Sequence, residues 1–365
     1  MKDRIKRIFS QFGKGAPDAI FINYGGVRDY SFFHVTGLEG GSFEGSSAIL
    51  SKEGSCAILI PQLEENTAVK ENKRNKLGLE INVFKSGKEH LEMLRHELLG
   101  TKMLGINYSS MSVATNLRLK SEIKCKFMDA GNALREARLI KDEIEIAKIE
   151  EAVKIAETGF SKMISEGTIK LGITEREIAA ELSYQMQKMG GTNSFPAIIA
   201  FGKNAAEPHY ATGGAKLKRN QIVLIDWGAK TRRYCSDLTR TFIFGKMNGE
   251  QQKMIETVKG AQEAGFDLMK EGCDAASIHS AVKNYIDKTE FKGKFIHSTG
   301  HSLGLEVHDG KGLGIEKFPL KENMVMTVEP GVYVKGVGGV RIEDDMIVKK
   351  GGIEILSKRN NFLEI

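Results

Sequence analysis

The sequence predicts a two-domain protein of mixed α/β (α+β) character, and three observations carry that expectation. Its 365 residues exceed the roughly 250–300 at which a single hydrophobic core stops growing. The first third of the chain alternates short β-rich runs with helical patterns, as a layered α/β domain does. Beyond it, an order of two helices followed by strands occurs twice. The expected domains are 1–132 and 133–365.

In the first domain the candidate strands are AIFINY (19–24), SSAIL (46–50), CAILIP (56–61), INVFK (81–85) and KMLGIN (102–107). Helical stretches near 62–72, 90–99 and 111–120 lie between the later strands. The densest basic run, KENKRNK (70–76), reads as a solvated loop. His34, His90 and His96 have no acidic or cysteine partner at ligand spacing and read as structural or exposed. Nothing in this part has the look of a reaction centre.

The second domain opens on a long apolar stripe over 134–164, formed by Ile149, Ala152, Val153, Ala156, Phe160, Met163 and Ile164 at helical spacing. The phrase TERE, from Thr174 to Glu177, is a capping box for the next helix. Two helices (about 141–164 and 174–190) lead into strands at 196–201, 221–229 and 233–244. Two more (about 250–270 and 274–289) lead into strands at 295–299, 323–334 and 339–348. A duplicated unit of this kind gives two half-sheets facing each other with helices outside, and a cleft between half-sheets is a natural place for a site.

Bulk composition narrows the function classes. The formal charge of +6 is mild for this length, and no Lys/Arg tract with interleaved aromatics supports nucleic-acid binding. No apolar stretch reaches the roughly 18–20 residues that span a bilayer. No apolar signal region follows the basic start, so a cytoplasmic location is expected. The four cysteines are scattered without a CxxC pair, which argues for reduced thiols rather than a disulfide framework or a thiolate zinc site.

The informative residues are acids in apolar strands. Asp226 shares a strand face with Ile222 and Leu224. Asp237 follows on the return strand, Glu329 ends the run MVMTV, and Glu343 shares a face with Arg341. Singly, each could be a strand-edge acid paired with a basic residue. Four together, beside a stretch HSTGHSLGLEVHD with three of the chain's eight histidines, need another explanation. Buried carboxylates are costly unless countercharged, and two divalent cations would supply that charge.

The motifs LIDWGA…YCSDLTRTF, HSTGHSLGLEVHD, VEPGVY and GVRIEDD resemble, in order and spacing, the proline-specific metallopeptidases of the pita-bread fold, prolidases and aminopeptidase P. YSFFHVTGLEGG resembles the N-terminal domain of the creatinase/prolidase group. The resemblance implies a creatinase/prolidase-like α/β domain followed by a pita-bread catalytic domain of pseudo-two-fold half-sheets. It implies a two-metal site of Asp226, Asp237, His301, Glu329 and Glu343, with Asp237 and Glu343 bridging. Catalytic roles fall on His209, His308 and Glu329, and substrate contacts on His297 and Arg341. Arg341 would assist Glu343 or a substrate carboxylate. His279 matches nothing in the family pattern and reads as an exposed helix residue. Ser302, Asp309 and Tyr210 depart from common family choices without removing a ligand.

Oxygen-rich ligation with one imidazole suits Mn²⁺ or Co²⁺ foremost, with Zn²⁺ or Fe²⁺ also compatible. Two such ions activate water and polarise a peptide carbonyl. The resemblance implies small proline-containing peptides as substrates and a homodimer. It leans toward an Xaa-Pro dipeptidase, with an Xaa-Pro aminopeptidase acting on longer peptides as the alternative. A non-catalytic pita-bread binding module is the non-enzymatic one. Creatinase-like amidinohydrolases work without metal, and methionine aminopeptidases usually lack the N-terminal domain.

Overall fold

Apolar residues at nearly every position of β1 (Ala19–Tyr24) suit a strand buried on both faces, and β1 lies inside a six-stranded sheet. The structure, a computed structural model, describes residues 1–358. The chain divides into two compact units, Met1–Arg138 and a second that begins at Leu139.

The first unit holds β1, β2 (Ser46–Ser51), β3 (Cys56–Pro61), β4 (Glu80–Phe84), β5 (Met103–Ile106) and β6 (Lys126–Asp129) in the order β4-β3-β2-β1-β5-β6. β1, β2 and β3 pair antiparallel, whereas β3–β4, β1–β5 and β5–β6 are parallel. Helices Glu65–Asn75, Gly87–Glu97 and Val113–Glu122 connect the later strands. The run 70–76 is not a loop: its first six residues are the end of helix Glu65–Asn75. Two contacts hold it helical. The buried Glu71 carboxylate accepts the backbone N–H groups of Glu39 (2.7 Å) and Gly40 (2.8 Å), and Asn72 bonds both backbone groups of Leu79. Strand β6, at one edge of the sheet, was not read from the sequence.

The second unit repeats helices and sheet. The seven residues of the stripe all lie in one helix, Glu143–Ser165; the residues ahead of it to Leu139 end a separate helix, Gly131–Leu139, most of which belongs to the first unit. Ile140 between them bridges to Met324, and Asp142 caps the second helix in a capping box with Glu145. Helix Glu175–Lys188 starts at the box of Thr174 and Glu177. Trp227 lies stacked on Phe160, with ring centroids 4.5 Å apart, and its Nε1 donates to the Ala156 carbonyl. Strands β8 (Ile198–Phe201), β9 (Gln221–Trp227) and β12 (Leu238–Phe244) form one sheet. β7 (Thr192–Asn193), β10 (Ala229–Thr231) and β11 (Tyr234–Cys235) form another. After helices Gly249–Phe266 and Ala275–Asp287 come β13 (Val325–Val328), β14 (Gly331–Val334), β15 (Gly338–Arg341), β16 (Asp344–Lys349) and β17 (Gly352–Ile355). β13, β16 and β17 make a three-stranded sheet, and β14 and β15 a hairpin.

Several long strands read from the sequence are interrupted. The run 221–229 stops at Trp227 because Gly228 passes against the Ser236 carbonyl, where a Cβ would lie 1.9 Å away. The run 233–244 divides around Ser236 and Asp237, 323–334 at Glu329 and Pro330, and 339–348 at Ile342 and Glu343. The segment 295–299 is not a strand. Its Thr299 N–H donates to the Leu313 carbonyl and its Thr299 carbonyl accepts Glu329 N–H, so the backbone of Thr299 is satisfied without a ladder.

Candidate metal centre

Three of the four acids singled out in the sequence occupy those strand breaks. Asp237 stands between β11 and β12, Glu329 between β13 and β14, and Glu343 between β15 and β16. A residue in a break is freed from the alternation of the pleat and can turn toward a common point. At each break the acid's own N–H is anchored. Asp237 N–H donates to Asp345 Oδ2 (3.0 Å), Glu329 N–H to the Thr299 carbonyl (2.8 Å) and Glu343 N–H to the Thr239 carbonyl (3.1 Å). Asp226 is within β9, opposite Thr239 of β12. His301 comes from a loop threaded between two bridges, His301 to Gly312 and Ser302 to Met326. That threading requires Gly300, where a Cβ would lie 1.9 Å from the Thr327 carbonyl.

These side chains converge. His301 Nε2 is 3.5 Å from Asp237 Oδ2 and 3.6 Å from Glu329 Oε1. One ligand atom each from Asp237, His301 and Glu343 lies within 4.8 Å of the others. Ligands about 2.0–2.2 Å from a shared ion have separations of this order. His301 Nδ1 donates to the Ser302 carbonyl (3.3 Å), which fixes the tautomer and leaves Nε2 free as a ligand atom. The Thr239 hydroxyl donates to Glu343 Oε2 (2.6 Å).

The charge balance is unfavourable without cations. Asp226, Asp237 and Glu343 are 8%, 5% and 2% exposed. Burial first, and then Asp226, Asp345 and Glu329, raise the Asp237 carboxyl well above its ordinary range. Glu343 is raised as far by burial, Asp237 and Glu329. Burial also raises Asp226 and Glu329, against the pull of Arg341 on both. Arg341 donates from Nη2 to Asp226 Oδ2 at 2.5 Å, from Nε to the Thr239 hydroxyl and from Nη1 to Tyr333 Oη. Among the described residues its hydrogen bonds reach Glu343 through Thr239, and its direct ion pair is with Asp226. The pairing satisfies one Asp226 oxygen; among the described residues Oδ1 is buried with no hydrogen-bond partner. Were all four acids ionised, one guanidinium would leave three negative charges uncompensated. An orphaned carboxylate oxygen, a tautomer-fixed imidazole and surplus buried negative charge fit a pair of divalent cations.

All nine residues singled out in the sequence line one cavity of about 450 Å³, with Phe195, Ile198, Pro208, Ser298 and Val307. His308 meets His301 edge to face, ring centroids 4.1 Å apart, and is pushed down to about 4 by desolvation and by His301 and His209. His297 is likewise lowered to about 4 by burial. Its Nδ1 donates to the Ser298 carbonyl, so its neutral Nε2 accepts from Tyr333 Oη at 2.8 Å. His279 is not an exposed helix residue. It is half-buried against Phe295, with Nδ1 3.0 Å from the Thr299 hydroxyl. Sequence reasoning also missed Tyr333 and Thr239, which carry the bonds between Arg341 and its neighbours. Both stand inside motifs it quoted.

Comparison with known proteins identifies what the chain is similar to. Residues 147–350 match the profile of metallopeptidase family M24, and residues 4–140 that of the creatinase/prolidase N-terminal domain. An Xaa-Pro dipeptidase of Pyrococcus furiosus is 33% identical over 361 residues, 98% of each chain. An X-Pro aminopeptidase structure from Thermotoga maritima superposes with a TM-score of 0.90 at 30% identity, covering 100% of both chains. The prolidase structure from Pyrococcus horikoshii gives 0.87 at 32% identity, covering 99% of this chain and 100% of the other.

Proposed function

Because the chain belongs to metallopeptidase family M24, we propose that it hydrolyses the Xaa-Pro bond of dipeptides, as the names of its full-length relatives suggest. The observation that carries this reading is the convergence of three buried acids, the partly buried Glu329 and one imidazole around too little positive charge. In this proposal Asp226, Asp237, His301, Glu329 and Glu343 hold two divalent cations, Mn²⁺ or Co²⁺ foremost. When bound, such ions activate water at neutral pH and polarise the scissile carbonyl.

The protein's own groups do the rest. Glu329 takes the proton of the attacking water and returns it to the leaving proline nitrogen, which has no N–H of its own and must be protonated to depart. An imidazole offers at least one N–H, so His308 and His209 donate hydrogen bonds to the oxygen on which negative charge develops. His297 and Arg341 border the space for the substrate's C-terminal half. Apolar Phe195, Ile198 and Val307 exclude water around it. We further read the chain as a cytoplasmic homodimer; no helix among the described residues is long and apolar enough to cross a membrane.

The test is ion content together with proline release. Purified protein dialysed against Mn²⁺ should retain about two ions per chain and release proline from an Xaa-Pro dipeptide. Asp237→Asn and Glu343→Gln should lose both properties. Retention of full ion content and rate in either variant rules out the assignment. Faster cleavage of Xaa-Pro tripeptides than of dipeptides assigns the aminopeptidase activity instead, the one named for the Thermotoga maritima structure.

A further inference from the structure

Glu175, the first residue of helix Glu175–Lys188, is fully buried. An acid at this position is favoured by the helix dipole, but that needs no burial. Capping does not need it either, since Thr174 and Glu177 form the box. Its carboxylate instead receives four donors. Oε1 accepts Phe201 N–H (3.0 Å) and Asn204 Nδ2 (2.9 Å); Oε2 accepts the Tyr210 hydroxyl (3.0 Å) and Gly213 N–H (3.0 Å). Together they give each carboxylate oxygen two hydrogen bonds.

The donors bracket residues 201–213, the segment that carries His209 to the cavity. Asn204 Nδ2 also donates to Tyr210 Oη (2.9 Å), and Tyr210 N–H to the Glu207 carbonyl (3.1 Å), so the segment is cross-braced beside His209. A Cβ at Gly213 would lie 2.9 Å from Tyr210 Oη and 3.3 Å from Glu175 Oε2, so the brace leaves no room for a side chain there. His209 itself is exposed at the rim, and among the described residues no hydrogen bond reaches its imidazole. Its placement therefore comes from the backbone on either side of it.

We propose that Glu175 and Tyr210 are positioning residues: the Glu175 carboxylate, acting through the Tyr210 hydroxyl, fixes the His209 imidazole at the cavity. The inference rests on the hydrolytic role given to His209 above. Tyr210→Phe deletes the hydroxyl and keeps the ring. In an otherwise unchanged chain it should lower kcat about tenfold, the rate equivalent of one lost hydrogen bond, with bound ions per chain unchanged. In a His209→Ala background it should change kcat no further. Equal losses in both backgrounds overturn the proposal. A separate readout needs no activity. In ¹³C-histidine NMR spectra, the signal absent from His209→Ala should move or broaden in Tyr210→Phe; an unmoved signal overturns the positioning role. Should His209→Ala leave kcat intact, the hydrolytic role of His209 fails, and the NMR result alone decides the brace.

Discussion

Arg341 and His297 show how neighbours set the charge state of single residues in this site. Burial alone would lower Arg341, yet Tyr333, Asp226, Glu329 and Glu343 raise it well above its ordinary value, so it stays cationic. His297, two bonds away through Tyr333, is held neutral, its value near 4 set first by burial and next opposed by its bond to Ser298. The stability consequence has a definite sign. Between about 6.5 and about 4 the unfolded chain binds a proton at this histidine that the folded chain refuses. Stability from this residue is therefore fully present above 6.5 and falls as pH drops toward 4. Urea unfolding in the presence of a chelator should show a shallower loss between pH 6.5 and 4.5 in His297→Asn than in the parent. Parallel pH profiles would contradict a depressed His297.

At the scale of elements, the site is built where strands stop. Gly300 makes the His301 loop possible, because the Thr327 carbonyl occupies the space of a Cβ. Backbone cannot give way as a flexible side chain can, so Gly300→Ala should displace His301 and weaken Mn²⁺ binding at least tenfold, about 1.4 kcal/mol. Calorimetric titration would measure it, and undiminished affinity would contradict the threading. Much at this scale was legible in the sequence. β1 covers the residues read for it, the TERE box caps its helix, and the acids stood out because they interrupt apolar runs. The strand breaks were not legible. Two-residue alternation continues across Ser236–Asp237 and Ile342–Glu343, and the interruptions come from distant partners, Asp345 and Thr239. The tight hairpin between β10 and β11 also lacks the usual Asn-Gly signal. Arg232 and Arg233 both adopt positive φ there, 46° and 76°. Glu175 was legible only as a helix-start acid, because its partners lie 26 to 38 residues away.

In the molecule as a whole, the candidate ligands span Asp226 to Glu343 and belong to both halves of the duplicated unit, on either side of helices Gly249–Phe266 and Ala275–Asp287. Each half has its own apolar cluster: Phe160, Val223 and Trp227 in one, Phe266, Ile278 and Met326 in another. Cations held by both halves close long chain loops in the folded state alone, so binding counts as folding free energy of this unit. The first unit, with its separate core of Phe21, Leu59 and Leu104, contributes none of the candidate ligands. Free Mn²⁺ at 100 times the Kd of the tighter site, with the weaker site still empty, adds about 2.7 kcal/mol to whatever unfolds with the site, an exchange rate about 100-fold lower. Hydrogen exchange with Mn²⁺ and with chelator should therefore differ by about that factor in the slowest amides of β9, β12, β13 and β16. Those of β1, β2 and β3 should exchange alike in both conditions. Slowing of the same size in all these strands, or in none, would contradict a cation centre confined to the second unit.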